Sequence, residues 1–271
     1  MGKKLFSKII LFLIIINICF PVAASAEKIT IYFPPDWQEK ANDAKIIAEK
    51  LSENSGLDIK PLIAKSYHQI LDAFMEHTPA LVYIGSFVQS VLYSRNLSLP
   101  LAQGINGKEL YTGVLITPAS AGNDPVLIVK NAGANIAYAK STSSGETAAK
   151  AASNGIAEIA VISQTAAANA VKVGKAKAAF VKNLWWEDNK NKYSGLKSFN
   201  YPRISDIKHP DYIVSANRHL NPKDLEKIMT ALKNCKEYFK VNEFKKFDPE
   251  LLEGTLQLMK KAKIDIENYK W

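Results

Sequence analysis

The sequence predicts an α/β protein of two lobes, each built on a mostly parallel sheet flanked by helices. Apolar strand-like runs alternate with helix-like runs over residues 29–87, and the same alternation returns over residues 136–181. Strands separated by helices in this rhythm form parallel sheets whose faces are covered by those helices. The chain passes between the two units through residues 111–117 and again through residues 201–214. Two crossings between two lobes predict a cleft that can open and close.

The first unit has a βαβαβ pattern. Its first helix carries apolar residues at helical spacing, Ala41, Ala44, Ile47, Ala48 and Leu51, and ends before Gly56. The predicted strands are residues 29–33, 57–64 and 80–84, and the predicted helices are residues 37–51 and 67–75. Ligands bind such sheets at the carboxyl ends of the strands, which here point to the segments that follow these runs.

The second unit repeats the pattern, and two longer helices follow it. Its predicted strands are residues 136–139, 159–162 and 178–181, and its predicted helices are residues 146–152 and 164–173. The two final helices are expected over residues 222–240 and 249–263. We therefore expect a discontinuous first lobe of residues 27–112 and 205–271, and a second lobe of residues 113–204.

The first 26 residues are typical of an export signal. Lys3, Lys4 and Lys8 precede an apolar run over residues 9–16, and the segment closes with Ala24-Ser25-Ala26, a small-x-small cleavage pattern. The uninterrupted apolar run is too short for a membrane span, which needs about 20 residues. We expect cleavage after Ala26 and a soluble periplasmic or secreted protein.

Charge and cysteine content exclude several classes of function. Removal of the signal takes away three lysines and no acids, so the net charge falls from +9 to 9 − 3 = +6. A modest positive field attracts anions, but the lysines are scattered and form no aromatic-basic motif, so we expect no nucleic-acid partner. A single cysteine, Cys235, remains and is expected to pack in the core. We expect a monomer.

Residues 141–146, Ser-Thr-Ser-Ser-Gly-Glu, place four hydroxyl side chains between a predicted strand and a predicted helix. The amides at a helix start have no internal acceptor and carry a partial positive charge, so they favour phosphate-like groups. Ser143 and Glu146 also fit a capping box, in which Ser143 caps the helix and Glu146 reaches back to it. The segment is therefore either an anion site or only a helix cap.

Several short motifs follow one another along the chain in the order found in a known protein family. They are the signal peptide, Tyr67 after the second strand, residues 81–87, the Tyr111 strand, Thr142-Ser143-Ser144-Gly145, Gly174-Lys175-Ala176, and His209-Pro210-Asp211 before Tyr212-Ile213-Val214. Together they resemble the phosphate, phosphite and phosphonate (PhnD-like) family of periplasmic substrate-binding proteins of ABC transporters. The resemblance spans nearly the whole mature chain. Its most specific element is the Ser/Thr-Ser/Thr-Ser-Gly motif.

The resemblance implies a two-lobed type II periplasmic-binding fold that closes on a small oxyanion and delivers it to a membrane permease. It implies that the turn at Thr142, Ser143, Ser144 and Gly145 holds the oxyanion and that Tyr67 adds a hydroxyl from the opposite lobe. The physics agrees, because neutral donors bind an anion through charge-assisted hydrogen bonds without a full counter-charge.

The departures from the family pattern bear on the ligand. Family members that take amino-phosphonates place a carboxylate just after the strand where this chain has Lys182. The family's acid and proline ahead of the Ser/Thr motif are replaced by Ala139 and Lys140. A receptor for aminoethylphosphonate is therefore not expected. Lys182 and Lys140 either favour a more anionic ligand or are solvated surface lysines.

Further residues are candidates for contacting the part of the ligand that lies away from the oxyanion, and so for setting ligand specificity. The two indoles of the Trp-Trp pair offer rigid apolar area and one N–H donor each, and the alternative is that they pack beneath a loop. The remaining candidates lie at strand ends that should face the cleft. The full set of specificity candidates is Tyr83, Ser86, Gln164, Lys182, Asn183, Trp185 and Trp186.

Two other classes of function remain open at this stage. A receptor that passes its ligand signal to a membrane sensor would use the same closure as a transport receptor. An enzyme is less favoured, because His68, His77, His209 and His219 form no metal-ligand spacing and no nucleophile elbow or Walker-type loop is present. We expect no catalytic residues, no metal and no cofactor.

Overall fold

The structure is a computed structural model that describes residues 28–269 and residue 271. The predicted export signal, residues 1–26, lies outside the described residues. Within the described part of the chain, no helix combines the length and the apolar character needed to cross a membrane.

A six-stranded sheet forms the first lobe. Its strands, in spatial order, are β13 (Glu243–Lys246), β4 (Ser98–Ile105), β12 (Ile213–Asn217), β3 (Ala80–Ile84), β1 (Ile29–Phe33) and β2 (Ile59–Ile63). Strands β1, β2 and β3 are parallel, as the βαβαβ pattern predicts. Strands β12, β4 and β13 extend them in antiparallel pairs. The sheet is therefore mixed, with its parallel half built from the start of the chain.

Helices cover both faces of this sheet, and β3 is therefore buried along its whole length. The helices of this lobe are α1 (Ala41–Ser55), α2 (Tyr67–Met75), α3 (Ser86–Ser94), α8 (Pro222–Asn234) and α9 (Glu253–Lys261). Leu81 and Tyr83 point to the face that carries α1 and α8, whereas Val82 and Ile84 point to the other, which carries α2, α3 and α9.

A five-stranded mixed sheet forms the second lobe. Its strands, in spatial order, are β10 (Leu196–Phe199), β6 (Gly113–Pro118), β9 (Ala178–Lys182), β7 (Ile136–Ala139) and β8 (Ile159–Val161). Strands β7, β8 and β9 are parallel, and β6 and β10 are antiparallel additions. The helices of this lobe are α4 (Pro125–Ala132), α5 (Ala148–Ala152), α6 (Gln164–Lys172) and α7 (Asn183–Asn189).

A two-stranded ribbon marks where the chain crosses between the sheets. Strand β5 (Leu110–Tyr111) pairs antiparallel with β11 (His209–Pro210), and Tyr111 lies opposite His209. The ribbon leads directly into β6 on one side and towards β12 on the other. Both crossings of the chain between the two sheets therefore run side by side in this ribbon.

Several elements differ from the sequence prediction. The helix predicted over residues 37–51 is a short 3-10 helix, Pro35–Lys40, followed by α1. The two final helices are shorter than expected: α8 ends at Asn234, and α9 is preceded by a 3-10 turn at Pro249–Leu252. The predicted strands at residues 29–33, 80–84 and 136–139 and the helix at residues 67–75 are confirmed.

Candidate functional site

The segment that follows β7, residues 141–145, forms a compact loop that we call the hydroxyl turn. Ser141 takes a left-handed conformation, with φ of 58°, and sends the chain into a single π-helical turn, Ser143–Thr147, that continues as α5. The helix cap is Thr142: its Oγ1 accepts from the Gly145 amide at 3.1 Å and donates to the Ala139 carbonyl at 2.7 Å. The expected cap at Ser143 is wrong by one residue, because the Ser143 hydroxyl bonds elsewhere.

The glycine of the motif is required by this close packing. A Cβ at Gly145 would overlap Thr142 Oγ1 and lie 2.9 Å from the Ala139 carbonyl oxygen. The Gly145 amide is held by Thr142, and the first π-type bond runs from the Thr147 amide to the Thr142 carbonyl at 3.2 Å. The amides of Ser143, Ser144 and Glu146 are therefore the first-turn donors without an intrahelical acceptor. They carry the positive end of the helix dipole, so the turn can hold an anion.

Glu146 binds the residue before the turn's cap. The capping box predicted that Glu146 reaches back to Ser143, and this prediction is wrong, because the carboxylate accepts from Ser141 instead. Its carboxylate accepts from the Ser141 amide at 2.8 Å, from the Tyr269 hydroxyl at 2.6 Å and from Lys150 Nζ at 2.6 Å. The residue is only 2% exposed. A buried carboxylate is tolerated when it is fully paired, and these three donors neutralise it within the protein.

The Ser143 hydroxyl connects the second lobe to the first. Ser143 Oγ lies 2.9 Å from Ser86 Oγ, at the start of α3, and Ser86 Oγ lies 2.8 Å from the Tyr111 hydroxyl, on the ribbon. All three side chains are buried. Burial, and then the charge of Asp211, raise the pKa of Tyr111 above its ordinary value, so its hydroxyl stays neutral. Both lobes and the ribbon thus bring neutral donors to one point.

Lys182, at the carboxyl end of β9, forms an ion pair with Asp211, which directly follows the ribbon. Lys182 Nζ lies 2.5 Å from Asp211 Oδ2 and 4.4 Å from the centroid of the Tyr111 ring. The two side chains are 18% and 29% exposed, so Lys182 is not a solvated surface lysine. Lys140, in contrast, is exposed.

Two other candidates at strand ends hold the backbone. Gln164, at the start of α6, accepts the Lys182 amide at 2.6 Å through Oε1. Asn183 accepts the Thr112 amide at 2.9 Å through Oδ1 and donates its own amide to the Thr112 carbonyl at 3.0 Å. These bonds fix the edge of the second sheet and the crossing chain next to the Lys182 pair.

Trp185 and Trp186 pack in the apolar cluster of the second lobe, which is the second of the two alternatives that the sequence left open. Trp185 and Trp186 lie 6.0 and 6.2 Å from the Tyr193 ring, between centroids. Trp186 is 4% exposed within the apolar cluster of this lobe, and Trp185 packs against the same cluster. Neither indole is brought to the hydroxyl turn, because both are held on α7 against Tyr193.

Tyr67 begins α2 at the carboxyl end of β2, at the same sheet edge as Ser86. Its half-buried ring packs on Trp271, with 5.4 Å between centroids. Burial, and then the charge of Asp36, hold its pKa above the ordinary value. Among the residues that the structure describes, its hydroxyl makes no hydrogen bond to the hydroxyl turn.

Three aromatic side chains of the first lobe pack on one another near the carboxyl ends of β1 and β3. They are Trp37, Tyr83 and Tyr212, and we call them the aromatic edge. Tyr83 lies 5.7 Å from Trp37 and 4.9 Å from Tyr212, between ring centroids. Burial raises the pKa of Tyr83 and of Tyr212, so both stay neutral. The buried Trp37 Nε1 has no hydrogen-bond partner in the described chain.

His209 on the ribbon is also buried and neutral. Its Nδ1 lies 2.8 Å from Thr255 Oγ1, and its ring lies 5.4 Å from that of Tyr111. Burial lowers its pKa to about 3. In residues 28–269 and 271, no group of three or more His, Cys, Asp or Glu side chains lies close enough to hold a metal ion.

Sequence reasoning gave no site role to Tyr111, Asp211 or Tyr269. Tyr111 and Asp211 were in the motifs that carried the resemblance, but their mutual proximity depends on the pairing of β5 with β11. Tyr269 lies 123 residues from Glu146 in sequence, so no local pattern signals their contact.

The comparison with protein families decides the class of protein. The model of the ABC-transporter phosphonate periplasmic substrate-binding protein matches residues 33–264. The chain belongs to this family. Like its other members, this phosphonate-family binding protein is a transport receptor and not an enzyme. No curated protein sequence matches the chain.

Solved structures show that this family member has the type II periplasmic-binding fold. PhnD1 from Prochlorococcus marinus, in complex with methylphosphonate, is 15% identical with a TM-score of 0.66, over 88% of this chain and 99% of that one. A binding component of an ABC phosphonate transporter from Pseudomonas aeruginosa is 15% identical with a TM-score of 0.65, over 88% and 87%. A chloride-bound protein from Xanthomonas citri is 12% identical with a TM-score of 0.69, over 87% and 97%. At these identities the likeness establishes the fold.

Proposed function

We propose that this periplasmic binding protein captures a phosphonate-, phosphite- or phosphate-like anion at the hydroxyl turn and delivers it to the permease of its ABC transporter. The observation that carries the proposal is the meeting of Ser143, Ser86 and Tyr111, three neutral hydroxyls from both lobes and the ribbon, beside the amides of Ser143 and Ser144. Neutral, preoriented donors in a buried place bind an oxyanion strongly, because the bonds are charge-assisted and shielded from water. The methylphosphonate complex of the Prochlorococcus marinus protein supports the same ligand class.

Binding is coupled to closure in this proposal. The first lobe comprises residues 27–112 and 205–271, and the second comprises residues 113–204. An anion docks first on Thr142, Ser143, Ser144 and Gly145 of the second lobe, and the first lobe then brings Ser86 and Tyr67 against it. The export signal is removed after Ala26, and the mature protein acts as a monomer in the periplasm.

The Lys182–Asp211 pair narrows the ligand class further. An unpaired Asp211 carboxylate beside Tyr111 would repel an oxyanion, and it would attract a ligand that carries an ammonium group. Lys182 already supplies that positive charge from within the protein, at 2.5 Å. The site therefore favours oxyanions without an ammonium group, such as phosphite or methylphosphonate, over aminoethylphosphonate.

A thermal-shift panel on signal-free protein tests the proposal. We expect phosphite, phosphate or methylphosphonate to raise the melting temperature, since a ligand at 100 times its dissociation constant adds about 2.7 kcal/mol, or several degrees for a chain of this size. The double variant T142A/S143A should lose the shift. S163A is the matched control, because it removes a helix cap of the same lobe at α6. If no oxyanion moves the melting temperature of the wild type, the proposed function is wrong.

The charge of the site is tested with K182M, and exposed Lys140 provides the matched control K140M. We expect K182M to weaken binding of methylphosphonate by on the order of tenfold, about 1.4 kcal/mol, and to shift the preference towards aminoethylphosphonate. Isothermal titration with both ligands measures the ratio of dissociation constants. Equal ratios in K182M and the wild type would show that the Lys182–Asp211 pair does not set the preference against ligands with an ammonium group.

A further inference from the structure

The last described residues of the chain, residues 264–269 and Trp271, form what we call the C-terminal segment. It follows α9 and is tied to the first lobe, because the Ile266 carbonyl accepts from Arg95 Nε at 2.9 Å, at the end of α3. Asp265 Oδ1 accepts the amides of Glu267 and Asn268, each at 3.1 Å, which turns the chain back on itself. The segment is thus anchored in the lobe opposite the hydroxyl turn.

The aromatic residues of this segment pack on first-lobe residues near the proposed site. The Tyr269 ring lies 5.0 Å from Phe87, between centroids, and the Trp271 ring lies 6.1 Å from Phe87 and 5.4 Å from Tyr67. Phe87 directly follows Ser86, whose hydroxyl meets Ser143. The segment therefore touches the two places from which the first lobe is proposed to reach the ligand.

The Tyr269 hydroxyl crosses to the second lobe. It donates to Glu146 Oε2 at 2.6 Å and lies 3.5 Å from Ser141 Oγ. Burial, and then the charge of Glu146, raise the pKa of Tyr269 well above its ordinary value, so the hydroxyl keeps the proton that it donates. Glu146 in turn accepts the Ser141 amide, at the residue whose left-handed φ directs the hydroxyl turn.

We propose that Tyr269 is a positioning residue for anion binding: its hydroxyl fixes the Glu146 carboxylate and thereby the hydroxyl turn, and it ties that turn to the first lobe. The physical reason is the charge balance of Glu146. Of its three donors, Lys150 is on the same helical run and the Ser141 amide is within the turn, so Tyr269 alone comes from outside the second lobe. Without it, a buried carboxylate loses a charge-assisted bond, and Ser141 is held by a less ordered acceptor.

A neighbouring space borders this contact, and the Tyr269 ring also packs on a continuous apolar cluster that includes Ala149 of α5 and Met259 of α9. A space of about 280 Å³ separates Tyr138 and Lys140 from residues 263–265, and both Glu146 and Tyr269 line it. None of Thr142, Ser143 and Ser144 lines this space. The Tyr269–Glu146 bond therefore lies at the margin of this cluster, where it adds a directed polar contact to the apolar packing.

The test uses Y269F in the full mature chain, with Y193F as control. Tyr193 is also buried, in the apolar cluster of the second lobe, so Y193F makes the same chemical change away from the turn. The inference rests on the proposed function for its affinity readout. We expect Y269F to weaken methylphosphonate binding about tenfold by titration calorimetry, with binding by Y193F close to that of the wild type. An unchanged dissociation constant, or a loss of affinity matched by an equal loss in Y193F, would overturn the inference.

A second measurement does not depend on any ligand. In hydrogen-exchange mass spectrometry of the ligand-free protein, Y269F should speed exchange in the peptide that covers residues 141–147, and Y193F should not. Unchanged exchange in that peptide would overturn the positioning role even if the wild type bound none of the oxyanions tested. Failure of the proposed function is distinct, because it shows as an absence of binding by the wild type.

A double-mutant cycle with E146Q assigns the effect to the named bond. Because both changes act through one hydrogen bond, we expect Y269F to alter the exchange of residues 141–147 much less in the E146Q background than in the wild type. Additive effects of the two changes would show that the Tyr269 hydroxyl acts through another contact, such as Ser141 Oγ, and would overturn the assignment.

Discussion

The two lobes present different chemistry to each other at the edges where their parallel strands end. The second lobe offers small residues: Thr142, Ser143 and Ser144 follow β7 with their hydroxyls and amides. The first lobe offers the aromatic edge of Trp37, Tyr83 and Tyr212, with Ser86 as its small hydroxyl donor. The difference indicates a division of labour. In the proposed binding mode, the hydroxyl turn and Ser86 hold the oxyanion, and the aromatic edge of the first lobe covers it and excludes water.

The two surfaces are also fixed by different forces. The hydroxyl turn is held by local hydrogen bonds, among them Thr142 to Gly145 and Glu146 to Ser141. The aromatic edge is held by ring packing, whose stabilisation comes mainly from the apolar area that the rings bury. A single added methyl group should therefore damage the turn far more than a trimmed ring damages the edge.

The largest effect is expected from G145A in the turn. The added Cβ would overlap Thr142 Oγ1 and press on the Ala139 carbonyl, so the cap must move. We expect a loss of oxyanion affinity of about 100-fold or more and a loss of about 1–3 kcal/mol in the free energy of unfolding. Chemical denaturation and titration calorimetry measure the two quantities.

The control for G145A is G122A, because Gly122 is exposed and an added Cβ there meets no atom within 4 Å. It should change neither affinity nor stability by more than a few tenths of a kcal/mol. If G145A bound oxyanions as well as G122A, the turn would not be the place that holds the anion.

The ribbon between the two surfaces predicts a dependence of stability on pH. Burial lowers the pKa of His209 to about 3, so the folded protein keeps it neutral while the unfolded chain, with an ordinary value near 6.5, takes up a proton. This contribution is fully present above pH 6.5 and is lost as the pH falls towards 3, at a slope of at most about 1.4 kcal/mol per pH unit. Unfolding of H209N, measured from pH 7 to pH 4, should show a shallower loss of stability than the wild type.

His68 supplies the matched control, since its side chain is 65% exposed. H68N should keep the wild-type pH slope. A wild-type slope in H209N as well would mean that carboxylates elsewhere account for the acid sensitivity, and that the ribbon is not its source.

The sequence was sufficient for the parts of the fold whose signals are local. The βαβ rhythm predicted the parallel halves of both sheets because each strand and helix carried its own periodicity, as in residues 67–75 and 80–84. It missed α3, which is buried almost throughout, from Ser86 to Leu92, because a helix buried on all sides shows no amphipathic pattern. It also missed β4 and β13, whose partners are distant in the chain.

The site divides in the same way. Thr142 and Gly145 could be predicted because the Ser/Thr-Ser/Thr-Ser-Gly motif is contiguous, although the cap itself lies one residue earlier than expected. The bonds of Ser143 to Ser86 and of Lys182 to Asp211 join residues 57 and 29 positions apart, so they depend on the crossings of the chain and not on any local pattern. The positive charge at Lys182 was evident from the sequence, but its ion pair with Asp211 could not be predicted from it.

The smallest effect is expected from W37F at the aromatic edge. The change removes an indole N–H that has no hydrogen-bond partner in the described chain. It also replaces the ring with a smaller one, both in the stack with Phe33 and in the edge-on contact with Tyr83. We expect a loss of about 1–2 kcal/mol in the free energy of unfolding from the lost ring volume. The dissociation constant for phosphite should stay within about threefold of the wild type, because the proposed binding mode includes no hydrogen bond from Trp37 to the anion. If calorimetry instead showed a loss as large as that of G145A, Trp37 Nε1 would be a donor to the anion, and the aromatic edge would hold the anion as well as cover it.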